Sequence, residues 1–304
     1  MIRRRAPRNR LSARKGWLTA LLCALFLVTA CQRTADSGRP TAGATPEVIT
    51  TAAFVQSWTA DLLDGVEKPV VVFDQNLAAD EPKIAPGQAA LLANARLLVS
   101  TGTETDAFIR AAREKEAASA PTAAPFAMPA ERTWIWLDLS QAIAGVRTLS
   151  TRLQDVFPQE AAKIAANETD LTARLEALDE RLLRLAAPIR GSEVFLQDSR
   201  LTPFAEHYGL TVAGLLSHRQ GMAPTSEEIE AFQRAAARHA NPILLAGTQI
   251  SGDVLEVGEE SATVTLVIVD PVLAGYVGRG HYERAMEGNA MVLVPVLAHA
   301  NGGS

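Results

Sequence analysis

The sequence predicts an α/β protein made of two α/β lobes with mostly parallel sheets, joined by one long helix. Three observations predict it. Leu171, Leu175, Leu178, Leu182 and Leu185 recur at alternating steps of four and three, the spacing of one helix face. Short apolar runs such as residues 70–73 (VVVF) and 96–100 (RLLVS) suit strands buried on both faces, and helical segments alternate with them as in a parallel sheet flanked by helices. The same alternation restarts beyond Pro188.

The long helix spans residues 158–188. Pro158 suits a first helical position and Pro188 cannot continue the hydrogen-bond ladder, so chemistry marks both ends. About 30 residues at about 1.5 Å each give roughly 45 Å, longer than one small domain is wide. The helix is therefore expected to run between two halves of the molecule. A coiled-coil segment is the competing reading, and too few heptads with strand-like sequence on both sides count against it.

Residues 1–31 read as a targeting segment. Seven basic residues (Arg3, Arg4, Arg5, Arg8, Arg10, Arg14 and Lys15) precede an apolar run from Trp17 to Thr29 that is short for a bilayer span, and Val28-Thr29-Ala30-Cys31 closes it. That ending resembles the lipobox of bacterial lipoproteins, which implies acylation of Cys31 as the new N-terminus and a cell-envelope location. Removing the segment leaves 22 basic against 34 acidic residues, a formal net charge of −12. An acidic surface repels nucleic acid and tolerates cations. Cys23 leaves with the signal and Cys31 carries lipid, so neither a disulfide nor a thiolate metal site is expected. Residues 32–46, rich in Thr, Ala, Gly, Ser and Pro, read as a flexible tether.

The first lobe is placed at residues 47–157. It is expected to hold a strand at 47–53, a helix at 54–63, strands at 70–73 and 96–100, and a helix at 86–94 opened by Pro86. A surface loop is read at 117–130, where three prolines interrupt an alanine-rich run, followed by a strand at 133–137 (TWIWL) and a helix at 140–156. The second lobe, residues 189–304, is expected to hold strands at 192–197, 242–246 and 263–269. Its helices are read at 202–208 (stopped by Gly209), at 225–239 (capped by Thr225 or Ser226, with Glu227 and Glu228 in the first turn) and at 281–300, with Pro295 inside the last.

Five segments in order carry a family resemblance: PGQAALLANARLLVSTG, TWIWLDLSQAI, PFAEHYGL, MAPTSEEIEAF and VIVDPVLAGYVGRGHYERAMEGN. Together they resemble the metal-binding, zinc and manganese class of ABC-transporter substrate-binding proteins, over essentially all of residues 47–300. The resemblance implies two α/β lobes on a long helix, a divalent metal ion (Zn or Mn type) held between them, and an ABC permease as partner. A monomer is expected, attached to the membrane through Cys31 as the lipobox resemblance implies, with no enzymatic role and, from the acidic balance, no nucleic-acid partner.

Members of that family bind the ion with imidazoles and carboxylates at four positions. Counting from the motifs puts Asp80, Trp134, Asp198 and Asp270 there. The three aspartates become the implied metal ligands, with Glu81 the substitute if the register is off by one, and Trp134 and Glu81 lining the pocket. None of the histidines (His207, His218, His239, His281, His299) falls on a ligand position, and they are read as surface or helix residues. Three carboxylates would make a hard, oxygen-only site, better suited to Mn²⁺, Mg²⁺ or Ca²⁺ than to Zn²⁺. Trp134 offers no lone pair. Other readings stay open: Asp198 as a helix cap, Asp270 as a turn opener, Asp80 as a solvated loop residue, and a scaffold that has lost its metal and acts as an interaction protein. Enzyme signatures are missing: there is no Gly-x-Ser-x-Gly elbow, Gly-x-Gly-x-x-Gly fingerprint, phosphate-binding lysine loop or His-Glu-x-x-His pair.

Overall fold

Among the described residues, eight strands form two four-stranded sheets in which every pairing is parallel. The computed structural model describes residues 47–71, 84–102, 106–116, 122–123, 134–220, 222–248, 254, 264–271, 273 and 278–302. The first sheet holds β1 (Val48–Thr50), β2 (Val70–Val71), β3 (Leu97–Val99) and β4 (Thr122–Ala123) in the order β2-β1-β3-β4. The second holds β5 (Glu193–Leu196), β6 (Thr211–Leu215), β7 (Ile243–Gly247) and β8 (Thr265–Val269) in the order β6-β5-β7-β8. The two orders are the same, a structural repeat that the sequence does not display.

Helices α1 (Ala53–Leu62), α2 (Pro86–Asn94), α3 (Ala107–Glu116) and α4 (Leu139–Val156) accompany the first sheet. The second is accompanied by α6 (Thr202–His207), α7 (Ser226–Ala236) and α8 (His281–Gly302). Between the two groups runs α5 (Ala161–Ala186), entered by a 3₁₀ turn at Pro158–Glu160 and left by another at Ala187–Ile189. Its 26 residues give about 39 Å. Leu171, Leu175, Leu178 and Leu182 are buried as their spacing predicts, but Leu185 is 38% exposed. The buried stripe also takes in Ile164, Thr172 and Ala186, so its centre lies on the side away from Leu185. One apolar core continues from Val48 and Val99 through α5 to Leu196, Leu245 and Leu293. The lobes are therefore packed against a shared spine rather than strung on it.

Several elements depart from expectation, among them β4, which lies inside the stretch read as a loop at 117–130, and α3 and β6, which were not expected. Of the strand expected at 133–137, the described residues 134–137 take another form: Trp134 is left-handed (φ 66°) and Ile135–Leu137 is a 3₁₀ turn. The Asp138 carboxylate accepts from Ser140 N–H (2.9 Å) and Gln141 N–H (3.4 Å) and caps α4, and the Trp134 and Trp136 rings pack 4.9 Å apart. Capping and ring packing outweigh the strand propensity of Thr, Trp and Ile. Both tryptophans are buried. The last strand of the second sheet is also shorter than the expected 263–269, beginning at Thr265.

Other local signals hold. Thr225 and Glu228 form a reciprocal cap at the start of α7, where Glu228 also accepts from His218 N–H at 2.9 Å. The N–H groups of His218 and Thr225 hold its carboxyl down at about 2. Gly209 (φ +73°) ends α6, with Gly209 N–H on Glu206 O and Leu210 N–H on Ala205 O, both at 2.9 Å. An added Cβ would meet Arg190 Cγ at 3.2 Å. Gly209→Ala is thus expected to destabilise by about 1–2 kcal/mol, read as a lower urea midpoint at unchanged slope.

Candidate functional site

In both sheets the chain leaves the first strand towards one neighbour and returns on the other side, so strand order reverses between β1 and β3 and between β5 and β7. Crevices outside the carboxyl ends of such strand pairs are where open α/β sheets hold ligands. At the first reversal lies Asp106, fully buried. It accepts from Thr51 Oγ1 and from Thr101 N–H, both at 2.6 Å, and it pairs with Arg110.

At the second reversal lies Asp198, two residues beyond β5 and 1% exposed. Its carboxylate accepts Arg200 N–H at 2.9 Å, Arg200 Nε at 2.8 and 2.9 Å, and Arg200 Nη2 at 2.6 Å. The aspartate caps the 3₁₀ turn Ser199–Leu201 and grips the arginine with both oxygens. The guanidinium carbon stands 5.1 Å from the ring centroid of Trp134, itself 3% exposed. Trp136, packed beside Trp134, donates from Nε1 to Pro271 O at 2.9 Å, next to Asp270. Asp270 directly follows β8, and its backbone is held by Asn289, which accepts its N–H at 2.7 Å and donates to its C=O at 2.9 Å.

Three sequence-predicted residues therefore belong to one connected cluster: Asp198 and Trp134 through Arg200, and the Asp270 backbone through Trp136 and Pro271. Asp80 and Glu81 lie outside the described residues, as does Cys31. Among the described residues no group of three or more His, Cys, Asp or Glu side chains is arranged to hold a metal ion. Two cavities stand apart from this cluster. One of about 580 Å³ lies between α1 and Arg279, lined in part by Asp64, Lys68 and Arg279, and one of about 350 Å³ lies at the amino ends of β5 and β7.

Sequence reasoning missed several residues that build the region. Arg200 is one, although its place two residues after an aspartate on a short turn was the available signal. His207 is another: this helix residue, its side chain 8% exposed, has Nδ1 3.0 Å from Asp138 Oδ1 and Nε2 2.7 Å from Asp179 Oδ1. Burial alone would depress this imidazole, but the hydrogen bond and charge of Asp138, then those of Asp179, outweigh it and raise its pKa. Burial alone would lift Asp138, and the His207 and Ser140 contacts reverse that and hold it below its ordinary value. His281 is buried, with Nε2 2.7 Å from Leu273 O.

A second cluster fixes α1 against the start of α8. Asp61, 3% exposed, accepts from Arg174 Nη2 (2.7 Å), Arg279 Nε (3.0 Å) and Gly280 N–H (3.1 Å). Ser57 Oγ accepts from the N–H groups of His281 and Tyr282 at 3.1 and 3.2 Å. A helix of the first half thus caps the last helix of the second.

No helix among the described residues is long and apolar enough to cross a membrane. The family described as zinc-uptake complex component A, periplasmic (ZnuA), matches residues 48–295. A high-affinity zinc uptake system protein, ZnuA of Yersinia pestis, is 20% identical over 255 residues, covering 72% of this chain and 80% of that protein. Among solved structures, FpvC from P. aeruginosa in complex with Ni²⁺ aligns with a TM-score of 0.74 at 18% identity, over 84% of this chain and 98% of that one. The periplasmic zinc binding protein TroA from Treponema pallidum aligns with a TM-score of 0.69 at 15% identity, over 84% and 99% of the two chains. These structural likenesses establish a shared two-lobe fold. With the match spanning both sheets and the helix between them, the chain belongs to the zinc-uptake complex component A family.

Proposed function

We propose that the protein is the extracytoplasmic receptor of an ABC-type uptake system, capturing a divalent cation of the zinc or manganese type between its lobes and passing it to a membrane permease. The observation that carries this reading is Asp198 at the strand-order reversal of a chain whose family match covers both lobes. Asp270, at the carboxyl end of β8, and Asp80 supply the other oxygens in this proposal, with Glu81 and Trp134 at the edge of the pocket. The lobes divide at 47–157 and 189–304 around the helix 158–188. Cys31 carries the lipid that keeps the receptor, a monomer with no catalytic role, at the envelope membrane. The shared apolar spine and the Asp61 contacts favour capture by local side-chain and loop movement over wide hinge motion.

A second reading has one specific observation in its favour. Arg200 already neutralises Asp198, as it would in a scaffold that has given up metal and serves as an interaction or accessory protein. Elemental analysis of protein purified without chelator separates the two. The receptor reading expects bound divalent metal, lost in Asp80→Ala, Asp198→Ala and Asp270→Ala, and the accessory reading expects none.

A further inference from the structure

We infer that Arg200 is a resident cation of the cleft, and that a divalent ion reaches Asp198 only by displacing its guanidinium. This deepens the receptor reading and rests on it. The geometry has three parts. Both oxygens of Asp198 receive Arg200 N–H groups, at 2.6 to 2.9 Å, while the carboxylate is 1% exposed. The guanidinium is held from its other side by the Trp134 face at 5.1 Å, so the contact also ties the segment after the first sheet to the first turn after β5. Finally, the arginine side chain keeps 13% exposure, which leaves it a path towards solvent that the aspartate lacks.

Arginine holds its proton at every physiological pH, so this cation is permanent and differs from a histidine or lysine that could be titrated away. A metal ion and a guanidinium need the same carboxylate lone pairs. An ion placed on Asp198 with Arg200 still seated would put like charges within a few ångströms in a nearly dry site. Capture is then an exchange of cations: the divalent ion takes the carboxylate, and the guanidinium leaves both Asp198 and the indole. Any receptor built this way trades affinity for an Asp198 carboxylate that stays paired when the cleft is empty.

Chelator-stripped wild type, Arg200→Ala and the double variant Asp198→Asn/Arg200→Ala are titrated calorimetrically with MnCl₂ and with ZnCl₂. The inference expects Arg200→Ala to bind at least one of the two ions ten-fold or more tightly than wild type, and the gain to vanish in the double variant. If wild type binds and Arg200→Ala binds equally or less tightly, the exchange idea is overturned while the receptor reading stands. If neither protein binds either ion, both are overturned. Arg200→Met keeps an apolar stem against the indole and replaces the alanine variant should that one fail to fold. In wild type, saturating ion is expected to change tryptophan emission, with the change abolished in Trp134→Phe; an emission unaffected by bound ion also overturns the exchange.

Discussion

Replacing Asp61 by alanine is expected to cost about 2–3 kcal/mol, the scale of hydrogen bonds to a charged group. Denaturant unfolding measures it. The carboxylate is nearly inaccessible and serves Arg174 of α5, Arg279 before α8 and the N–H of Gly280 together. Arg174 would keep Asp170 and Glu283, and Arg279 would keep Asp64, so neither arginine is left wholly unpaired. What disappears is the junction of α1, α5 and the entrance of α8. Hydrogen exchange should therefore speed up at the first amides of α8 well before the β-strand amides respond. Asp61→Asn retains an acceptor oxygen and should lose less than the alanine variant. Equal losses in the two would show that shape, not charge, holds the junction.

His207→Gln should lose about 2–3 kcal/mol in mildly acidic solution, the scale of hydrogen bonds to charged groups, and less as the pH rises. The imidazole lies between Asp138, the cap of α4, and Asp179 of α5, with Tyr208 beside it at a ring separation of 5.2 Å. Its folded pKa is raised, so its stabilisation is complete below the unfolded value of about 6.5 and is lost as pH climbs through the higher folded value. Asp138 moves the opposite way, and its contribution is present above the unfolded aspartate value and lost as pH falls through the lowered one. Unfolding of wild type and variant across a pH series should therefore give a difference that narrows on the alkaline side of about pH 6.5. A pH-independent difference would mean that the imidazole acts through packing alone.

The parts of the fold that were legible are those with local chemistry behind them. The leucine spacing and flanking prolines located α5, Pro86 opened α2 where expected, and Thr225 and Gly209 marked helix ends. Helix α3 was hidden by its charge, since among residues 107–114, whose burial is described, only Ile109 and Arg113 are buried. Strand β6 was hidden because Gly214 breaks its pattern. That glycine is needed where an added Cβ would come within 3.3 Å of the Phe195 ring, beside the register shift at Val194 and Phe195. Residues 133–137 misled because strand propensity is a weak signal once an adjacent aspartate caps a helix.

The site was half legible. Asp198 was reached by counting back from the PFAEHYGL segment that carries the family resemblance, and its capping role was one of the readings left open. Its principal partner could not be placed, because nothing in linear sequence says which way a long arginine folds back. The histidine that joins the lobes through two aspartates escaped for the same reason: Asp138 and Asp179 lie far from it in the chain and meet it only through helix packing.

The most direct test is anomalous diffraction from crystals of the mature protein grown with MnCl₂ or ZnCl₂. A peak between the lobes, about 2.0–2.6 Å from oxygens of Asp198 and Asp270 and with Arg200 withdrawn from Asp198, is the predicted result. Full occupancy of Asp198 by Arg200, with no peak in the cleft at saturating ion, would contradict it.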